Sequence, residues 1–509
     1  MIPLTAIPYQ KALRLALLCA LLATAASYVL TTACWQISLD TGIMHYMAML
    51  IREGQAPYRD IVDLNLPGCY MFEQIGMALF GGGDIGWRIC EFVLLAILTI
   101  GMIVIALPDD WLAGFLAAMI YVIFHAGDGP NNAVQREQSL GILLIVAYAF
   151  VFLSLRRNKP LLMLPFGLFA GLASSFKPTV APLALAVLAL ALFVLWKRRQ
   201  PVLLSAMYAV AGLCLAGVII VGYMVQHHAF LAFFDTAKLL VPYYAGICRV
   251  DLLSLLRDMF VWRPSALLPF GLILFVSNKS WRNWETWALI LGIAFGIVSF
   301  IGQGKGFPYH LYPYLIFMAL WASLECFRAV RRTGWQRIVG LCGILLALAF
   351  IVPHHRIKYY LPGGSYNPGT PLADMIQHRL NQFGTLDLQH NVQCLDHTSG
   401  CTLALYRMDL QQSTTYVSDF MLFGPIGSTP PDYYRTDFLL QMHNHPPKVL
   451  VITNAWLGEP DSFNKLDRWP TFEEYLNTAY VLKAEGCVAS CGMMNQPAYR
   501  LYVLRGSIK

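Results

Sequence analysis

The sequence predicts a polytopic α-helical membrane protein with a soluble α/β domain at its C-terminal end. Three observations lead there. Only 13% of the 509 residues are charged and 57% are hydrophobic, whereas soluble chains carry about 25% charged residues. Long uncharged runs recur through the first 353 residues, as membrane-crossing helices require. Beyond residue 353 polar and turn residues take over. The expected division is a membrane domain at 1–353, with a long first outer loop at 33–88, and an outer α/β domain at 354–509.

Lys11 and Arg14 precede the first apolar run, 15–32. It is long enough to span, and no small-residue cleavage site leads into a soluble start, so it reads as an uncleaved anchor. Ten more runs follow, at 92–107, 111–124, 140–155, 161–176, 179–196, 202–225, 266–276, 287–300, 311–324 and 338–352, giving about eleven spans. If all cross, five basic clusters share one side. They are Lys11 with Arg14, Arg156-Arg157-Asn158-Lys159, Lys197-Arg198-Arg199, Lys279 with Arg282, and Arg328 with Arg331, Arg332 and Arg337. The positive-inside bias makes that side cytoplasmic. The net charge of +7 is then topological and implies no nucleic-acid partner. The outer side receives 33–88, 125–138, Lys177-Pro178, 226–264, 302–310 and everything from Pro353 onward.

In the C-terminal segment, 448–453 and 499–505 read as strands, and 432–442 and 471–482 as helices. Cys394/Cys401 and Cys487/Cys491 are close pairs in a compartment that is oxidising on this topology, so at least one disulfide is expected. Two pairs of buried thiols are the alternative reading, and a zinc site with His397 is a further one, although the C-x2-C signature is missing.

The stretch from Cys34 to Tyr70 is the richest in chemistry. It holds Asp40, then an amphipathic helix at 41–52, then Tyr58-Arg59-Asp60, then Asn65-Leu66-Pro67-Gly68. Asp40 reads as an N-cap or as a carboxylate held at a rigid helix start. Ile43, Met44, Met47, Leu50 and Ile51 form an apolar face suited to the membrane interface.

This pattern resembles the GT-C superfamily of membrane glycosyltransferases, nearest to bacterial protein O-mannosyltransferases and lipid A aminoarabinose transferases. The resemblance covers the whole layout: a catalytic first outer loop, many spans and an outer C-terminal domain. It implies an enzyme of the bacterial inner membrane, with its C-terminal domain in the periplasm. Such an enzyme moves a sugar from a polyprenyl-phosphate donor onto a lipid, glycan or protein acceptor. The family often carries Asp-Glu in the first loop, whereas Thr41 follows Asp40 here. A divalent metal and the acidic partner of Asp40 therefore stay unassigned, and no cofactor is expected.

On this reading Asp40 is the general base for the acceptor hydroxyl, with inversion at the sugar. The departing phosphate needs fixed positive charge. Arg59 beside Asp60, Arg136, Lys177, Lys305 and His310 lie at outer boundaries and supply candidates. In Gly302-Gln303-Gly304-Lys305-Gly306-Phe307-Pro308-Tyr309-His310, glycines let backbone approach a ligand, and Tyr309 completes the turn. The alternative for Lys305 and Lys177 is a snorkelling lysine. Glu137, in Gln135-Arg136-Glu137-Gln138, and Asp128 are candidates for a second carboxylate. A Glu favoured by the helix dipole is the alternative for Glu137. Two other functions compete: a lipid-linked saccharide flippase, which would place charges near the membrane midplane, and a glycan polymerase or ligase, which would carry its main loop late in the chain.

Overall fold

The computed structural model describes residues 8–261, 263–351, 370–398, 400–488 and 496–507. Cys491, and with it the expected 487/491 pair, lies outside them. The chain divides into two compact units. The first takes the chain up to Trp35, then Arg88–Val218, then the segment from Asp251 through the last apolar helix. The second takes Gln36–Trp87, Ile219–Val250 and the C-terminal segment.

All eleven apolar runs are helical. In chain order the first unit holds α1 (Pro8–Thr32), α4 (Asp84–Ala106), α5 (Trp111–Asp128), α6 (Arg136–Arg157), α7 (Met163–Ser174), α8 (Val180–Lys197), most of α9 (Val202–Gln226), α11 (Leu252–Val261), α12 (Leu268–Ser277), α13 (Trp284–Gln303), α14 (Tyr312–Val330) and α15 (Trp335–Ile351). Among the described residues eight helices are long and apolar enough to cross a membrane, α11 and α12 together make a ninth if read as one broken span, and α7 and α15 are shorter apolar helices. Leu30, Leu203, Val210 and Val218 stand exposed on α1 and α9, an apolar surface suited to lipid rather than water. At the other extreme α14 is buried along almost its whole length. α7 and α9 meet backbone to backbone: a Cβ on Gly167 would fall 2.0 Å from the Ala209 carbonyl oxygen, and one on Gly212 as close to that of Leu164. Small residues permit such approach between helices in lipid.

The basic clusters gather at one end of this unit. Arg14 donates to Asp110 at 2.6 Å, and Arg331 reaches the same carboxylate at 3.4 Å. Asp110 also caps α5, accepting from the Leu112 amide. Arg328 pairs with Asp109 at 2.6 Å, and Arg156 with Glu285 at 2.8 Å. Arg198 donates to the Leu155 carbonyl, and Asn278 and Ser280 donate to Glu325. Four of the five clusters that the charge bias placed together are thus tied across the helix ends, and neighbours of Lys279 bond to Glu325 of the Arg328 helix.

The second unit contains α2 (Leu39–Arg52), α3 (Pro67–Phe80), α10 (Phe230–Gly246) and a four-stranded sheet. Strands β1 (Val392–Leu395), β2 (Val449–Thr453), β3 (Tyr480–Cys487) and β4 (Ala498–Leu504) run in the order β1-β2-β4-β3. β1 and β2 are parallel, in register Val392 to Val449, and the other two pairings are antiparallel. The helix expected at 471–482 ends at Ala479, because Tyr480 already pairs with Leu504 in the sheet. One hydrophobic core joins Phe420, Phe438, Ile452 and Phe472 to Val62 of the first loop and to Leu240 of α10. Cys394 and Cys401 are bridged, with Cα atoms 5.9 Å apart. Their sulfurs are therefore not thiolate ligands, which removes the zinc reading. His397 instead lies 3.3 Å from the Ser418 hydroxyl.

α2 differs from expectation in two ways. It begins at Leu39 with Ser38 as N-cap residue, so Asp40 sits inside the first turn and is not the cap. The helix also lacks a wet face: Thr41, His45, Tyr46 and Ala48 are buried along with the apolar stripe. The reason is packing within the unit. Gly42 brings α2 against Leu403 of the helix Cys401–Arg407, and Tyr46 accepts from the Gln412 amide at 2.9 Å.

Candidate active site

The second unit holds the first-loop residues. Asp40 is half-buried in the first turn of α2, where the helix dipole favours a carboxylate. Leu39, immediately before it, has φ +45°, a left-handed conformation that side chains rarely adopt and that costs of order 1–3 kcal/mol. Asp84 accepts from the Ile37 amide at 2.8 Å and pins the chain just upstream. Beneath the same helix His45 pairs with Glu73 at 2.5 Å, both buried, and Tyr406 stacks edge-on against His45.

Arg59 and Asp60 engage each other through two hydrogen bonds, at 2.8 and 2.7 Å. The hydrogen bond from Arg59 holds the Asp60 carboxyl below the usual carboxylate range, against the opposing effect of partial burial. Arg59 is largely exposed, so this pair is on the surface of its unit. Deeper in the loop, Asp63 Oδ2 accepts from the Asn65 amide at 3.0 Å, the Asn65 side chain at 2.6 Å and Tyr70 at 2.6 Å. Tyr58 donates to the Asn65 carbonyl at 2.6 Å. Burial and the Asp63 charge push the Tyr58 and Tyr70 hydroxyls well above the usual phenol range. These bonds fix the Asn-Leu-Pro-Gly turn that starts α3.

The first unit assembles the remaining candidates at the end opposite the ion-paired basic clusters. Glu137, in the first turn of α6, is 2% exposed. Its Oε1 receives Lys177 Nζ in an ion pair and lies 3.3 Å from His310 Nε2. Lys177 also donates to Gln303. Arg136 acts electrostatically on Glu137, and Lys305 on His310. Lys305 is 7% exposed and His310 is 5% exposed, so Lys305 is not a lysine reaching for water from a wet turn. The turn that carries them is glycine-dependent: Gly304 has φ +65° and Gly306 φ +70°. Tyr309 stacks on Phe307, with ring centroids 5.6 Å apart, and lies edge-on to His310. The Arg136 turn is strained as well. Val134, a β-branched residue, has φ +58° and is held there by its amide donating to Gln138 at 2.8 Å.

Thus Glu137, Arg136, Lys177, Lys305 and His310 come together in one unit, with Tyr309 at the edge, while Asp40, Arg59 and Asp60 belong to the other. Asp128 is half-buried and accepts from Tyr312 at 3.0 Å. The same end of the first unit also buries Arg88, Glu91 and His125, which the sequence reading did not single out. The signal was there: an ionisable residue inside an apolar helix is a functional candidate by default. Among the described residues no group of three His, Cys, Asp or Glu side chains is arranged as a metal site.

No protein-family model matches the chain, and no curated protein sequence does. Solved structures do. The chain is similar to ArnT from Cupriavidus metallidurans bound to undecaprenyl phosphate, at 12% identity and TM-score 0.57, covering 95% of this chain and 97% of that one. It is similar to the Archaeoglobus fulgidus oligosaccharyltransferase tethered to an acceptor peptide, at 12% identity and TM-score 0.55, covering 94% of this chain and 74% of that one. It also matches the mycobacterial arabinofuranosyltransferase AftD at 14% identity and TM-score 0.52, over 95% of its own length but 41% of that chain. All three are GT-C glycosyltransferases. The chain has the GT-C fold, in a multi-pass membrane protein with a C-terminal α/β sheet.

Proposed function

We propose that this protein transfers a sugar from a polyprenyl-phosphate donor to an envelope acceptor at the outer face of a bacterial inner membrane. The observation that carries the reading is the gathering of Arg136, Lys177 and His310 about the buried carboxylate of Glu137, with Lys305 acting on His310, at the end away from the basic rim, in a GT-C fold. Buried and half-buried lysine and arginine cations such as Lys305, Lys177 and Arg136 stabilise charge far better than they would in water, and His310 adds a ring nitrogen beside them. The structurally similar ArnT was solved with undecaprenyl phosphate, which supports a lipid phosphate as the ligand.

In the reaction the acceptor hydroxyl attacks the anomeric carbon as the bond from that carbon to the phosphate oxygen breaks. The electron pair leaves with the polyprenyl phosphate, onto which the cations converge. The acceptor proton passes to Asp40 as general base, and a single displacement inverts the anomeric centre. Glu137 acts as the counter-charge that holds Lys177 and His310 in place. Asp128, half-buried beside Tyr312, then becomes the second carboxylate of the reaction. Arg59 with Asp60 contacts the more exposed parts of the substrates.

The direct test is binding of undecaprenyl phosphate to the purified protein in nanodiscs, paired with mass measurement of envelope glycans from cells with and without the gene. Saturable binding and a glycan mass difference of one sugar are expected. No binding and no mass difference would overturn the reading. For the sidedness, a reporter joined after Lys509 should be active only when exported, and cytoplasmic activity would reverse the topology.

A further inference from the structure

Within the second unit, the helix start that carries Asp40 is tied to a tyrosine far later in the chain. Tyr406, on the helix Cys401–Arg407, donates to the Gly82 carbonyl at 2.5 Å. A Cβ on Gly82 would fall on that hydroxyl, so the bond depends on a glycine there. Two residues on, Asp84 accepts from the amide of Ile37, which shortly precedes Asp40. The ring of Tyr406 also stands edge-on to His45, with centroids 5.5 Å apart. His45 Nδ1 faces two acceptors, the Thr41 carbonyl at 3.1 Å and Glu73 at 2.5 Å, so it carries the hydrogen. Thr41 is the residue right after Asp40. One side chain thus bears on the backbone on both sides of Asp40.

The helix that carries Tyr406 is itself firmly held. Cys401, at its start, is bridged to Cys394 of β1, and Asp396 accepts from the Gly400 and Cys401 amides at 2.9 and 2.8 Å. Leu403 packs on Gly42 of α2, and Arg407, at the other end, pairs with Asp374 at 2.6 Å. Burial, and behind it the Glu73 charge, pushes the Tyr406 hydroxyl up to about 12, so it stays a donor throughout the physiological range.

Between those ties sits the strained link. Leu39, directly before Asp40, has φ +45°, and such a conformation persists only where its surroundings over-determine it. Asp84 restrains the chain upstream through Ile37, and His45 restrains the first turn of α2 through Thr41. Loosening either lets the Leu39 link relax and turns the Asp40 carboxylate with it. A misplacement of about 1 Å at a reacting group can cost about a hundredfold in rate.

We propose that Tyr406 is a positioning residue for Asp40, setting the direction of its carboxylate through Gly82, Asp84 and Ile37 on one side and through His45 on the other. This rests on the transfer reading, in which Asp40 is the general base. On that reading the donor phosphate is held by the cations of the first unit. Tyr406 therefore bears on the rate of proton removal and not on donor affinity.

The test is a set of variants in nanodiscs, supplied with lipid-linked sugar and acceptor fractions extracted from envelopes. The readout is release of undecaprenyl phosphate. Tyr406→Phe keeps the ring on His45 and loses the bond to Gly82. It should lower kcat about tenfold, short of the cost of a full misplacement, at unchanged donor KM. In an Asp40→Asn background it should cost nothing further, because its effect passes through Asp40. Asp84→Ala should lower kcat likewise, and Asp84→Asn, whose amide oxygen still accepts from Ile37, should restore it. Arg407→Gln, on the same helix but off this path, should leave kcat unchanged. Losses at Tyr406 and Asp40 that multiply would overturn the proposal, as would an Asp84→Asn no better than Asp84→Ala. A loss in Arg407→Gln as large as that in Tyr406→Phe would mark general loosening and overturn it as well. A second measurement needs no substrate. Amides in the 36–45 segment should exchange hydrogen about tenfold faster in Tyr406→Phe than in the wild type, and no faster in Arg407→Gln. Exchange that ignores Tyr406 overturns the proposal. A wild type that releases no undecaprenyl phosphate sinks the transfer reading instead, and the exchange result still decides whether Tyr406 holds the start of α2.

Discussion

The two ends of the first unit use the same residue types for opposite purposes. At the basic end, Arg14 is 51% exposed and Arg331 is 55% exposed, and both reach one carboxylate, Asp110. At the other end, Lys177 is 19% exposed and meets a Glu137 that is 2% exposed. The first arrangement is a rim. Exposed pairs of this sort are worth about 0–1 kcal/mol, and their value lies in orienting the protein in the bilayer. The second arrangement is dry, and removing one partner from such a pair is expensive. A count of charges would not separate Arg14 and Arg331 from Lys177; the carboxylates they meet are almost equally buried, and it is the exposure of the cation that differs.

Substitutions can sharpen that contrast. The largest effect is expected at Asp40, in the first turn of α2. Asp40→Asn keeps the size of the side chain and removes the charge that the helix dipole favours, a contribution of about 0.3–1 kcal/mol. Transfer should fall by about a hundredfold or more, the range for loss of a general base, in protein that still folds and reaches the membrane. Near-normal transfer would reduce Asp40 to a favourable helix-start charge.

Next comes Glu137→Gln, which strips Lys177 of its carboxylate. With Lys177 partly exposed, a loss of about 2–3 kcal/mol is expected, below the range for fully buried pairs. Thermal unfolding in detergent measures it, and a change as small as that at the rim would erase the distinction between the ends. Lys305→Met should retain most of the stem's packing and weaken undecaprenyl phosphate binding about tenfold, the scale of one charge-assisted contact. Unchanged affinity would move the phosphate role to Arg136 and Lys177. The smallest effect belongs to the rim. Arg331→Gln should cost less than about 1 kcal/mol and leave transfer untouched, because Arg14 still holds Asp110.

The spans were legible in the sequence because a twenty-residue apolar run has few alternatives. The basic clusters were legible because they punctuate those runs. The turn at 302–310 announced itself through its glycines, and two of them do adopt left-handed backbone. What escaped was set by helix boundaries. The apolar run beginning at residue 92 stopped one residue short of Glu91, and the run ending at 124 stopped one short of His125. α4 in fact starts at Asp84 and takes in Arg88 and Glu91, while α5 runs on to Asp128. The partnership of His125 with Tyr312 spans 187 positions, and no local pattern encodes it. The buried surroundings of α2 were hidden for the same reason. Its apolar stripe was visible, but the helix that covers its other side lies in the last quarter of the chain.

That separation has a consequence for how the protein is made. Gln55, just after α2, bonds to Gln411, 356 residues later, and the Tyr46 hydroxyl waits as long for the Gln412 amide. At about 5–20 residues per second of synthesis, the first loop emerges roughly 20–70 s before its covering helix exists. Throughout that interval Met44, Met47 and Leu50 have nothing from the later segment to bury them. The helix bearing Asp40 is thus made long before the segment that shelters it, so in that interval lipid or a chaperone must keep it from sticking elsewhere.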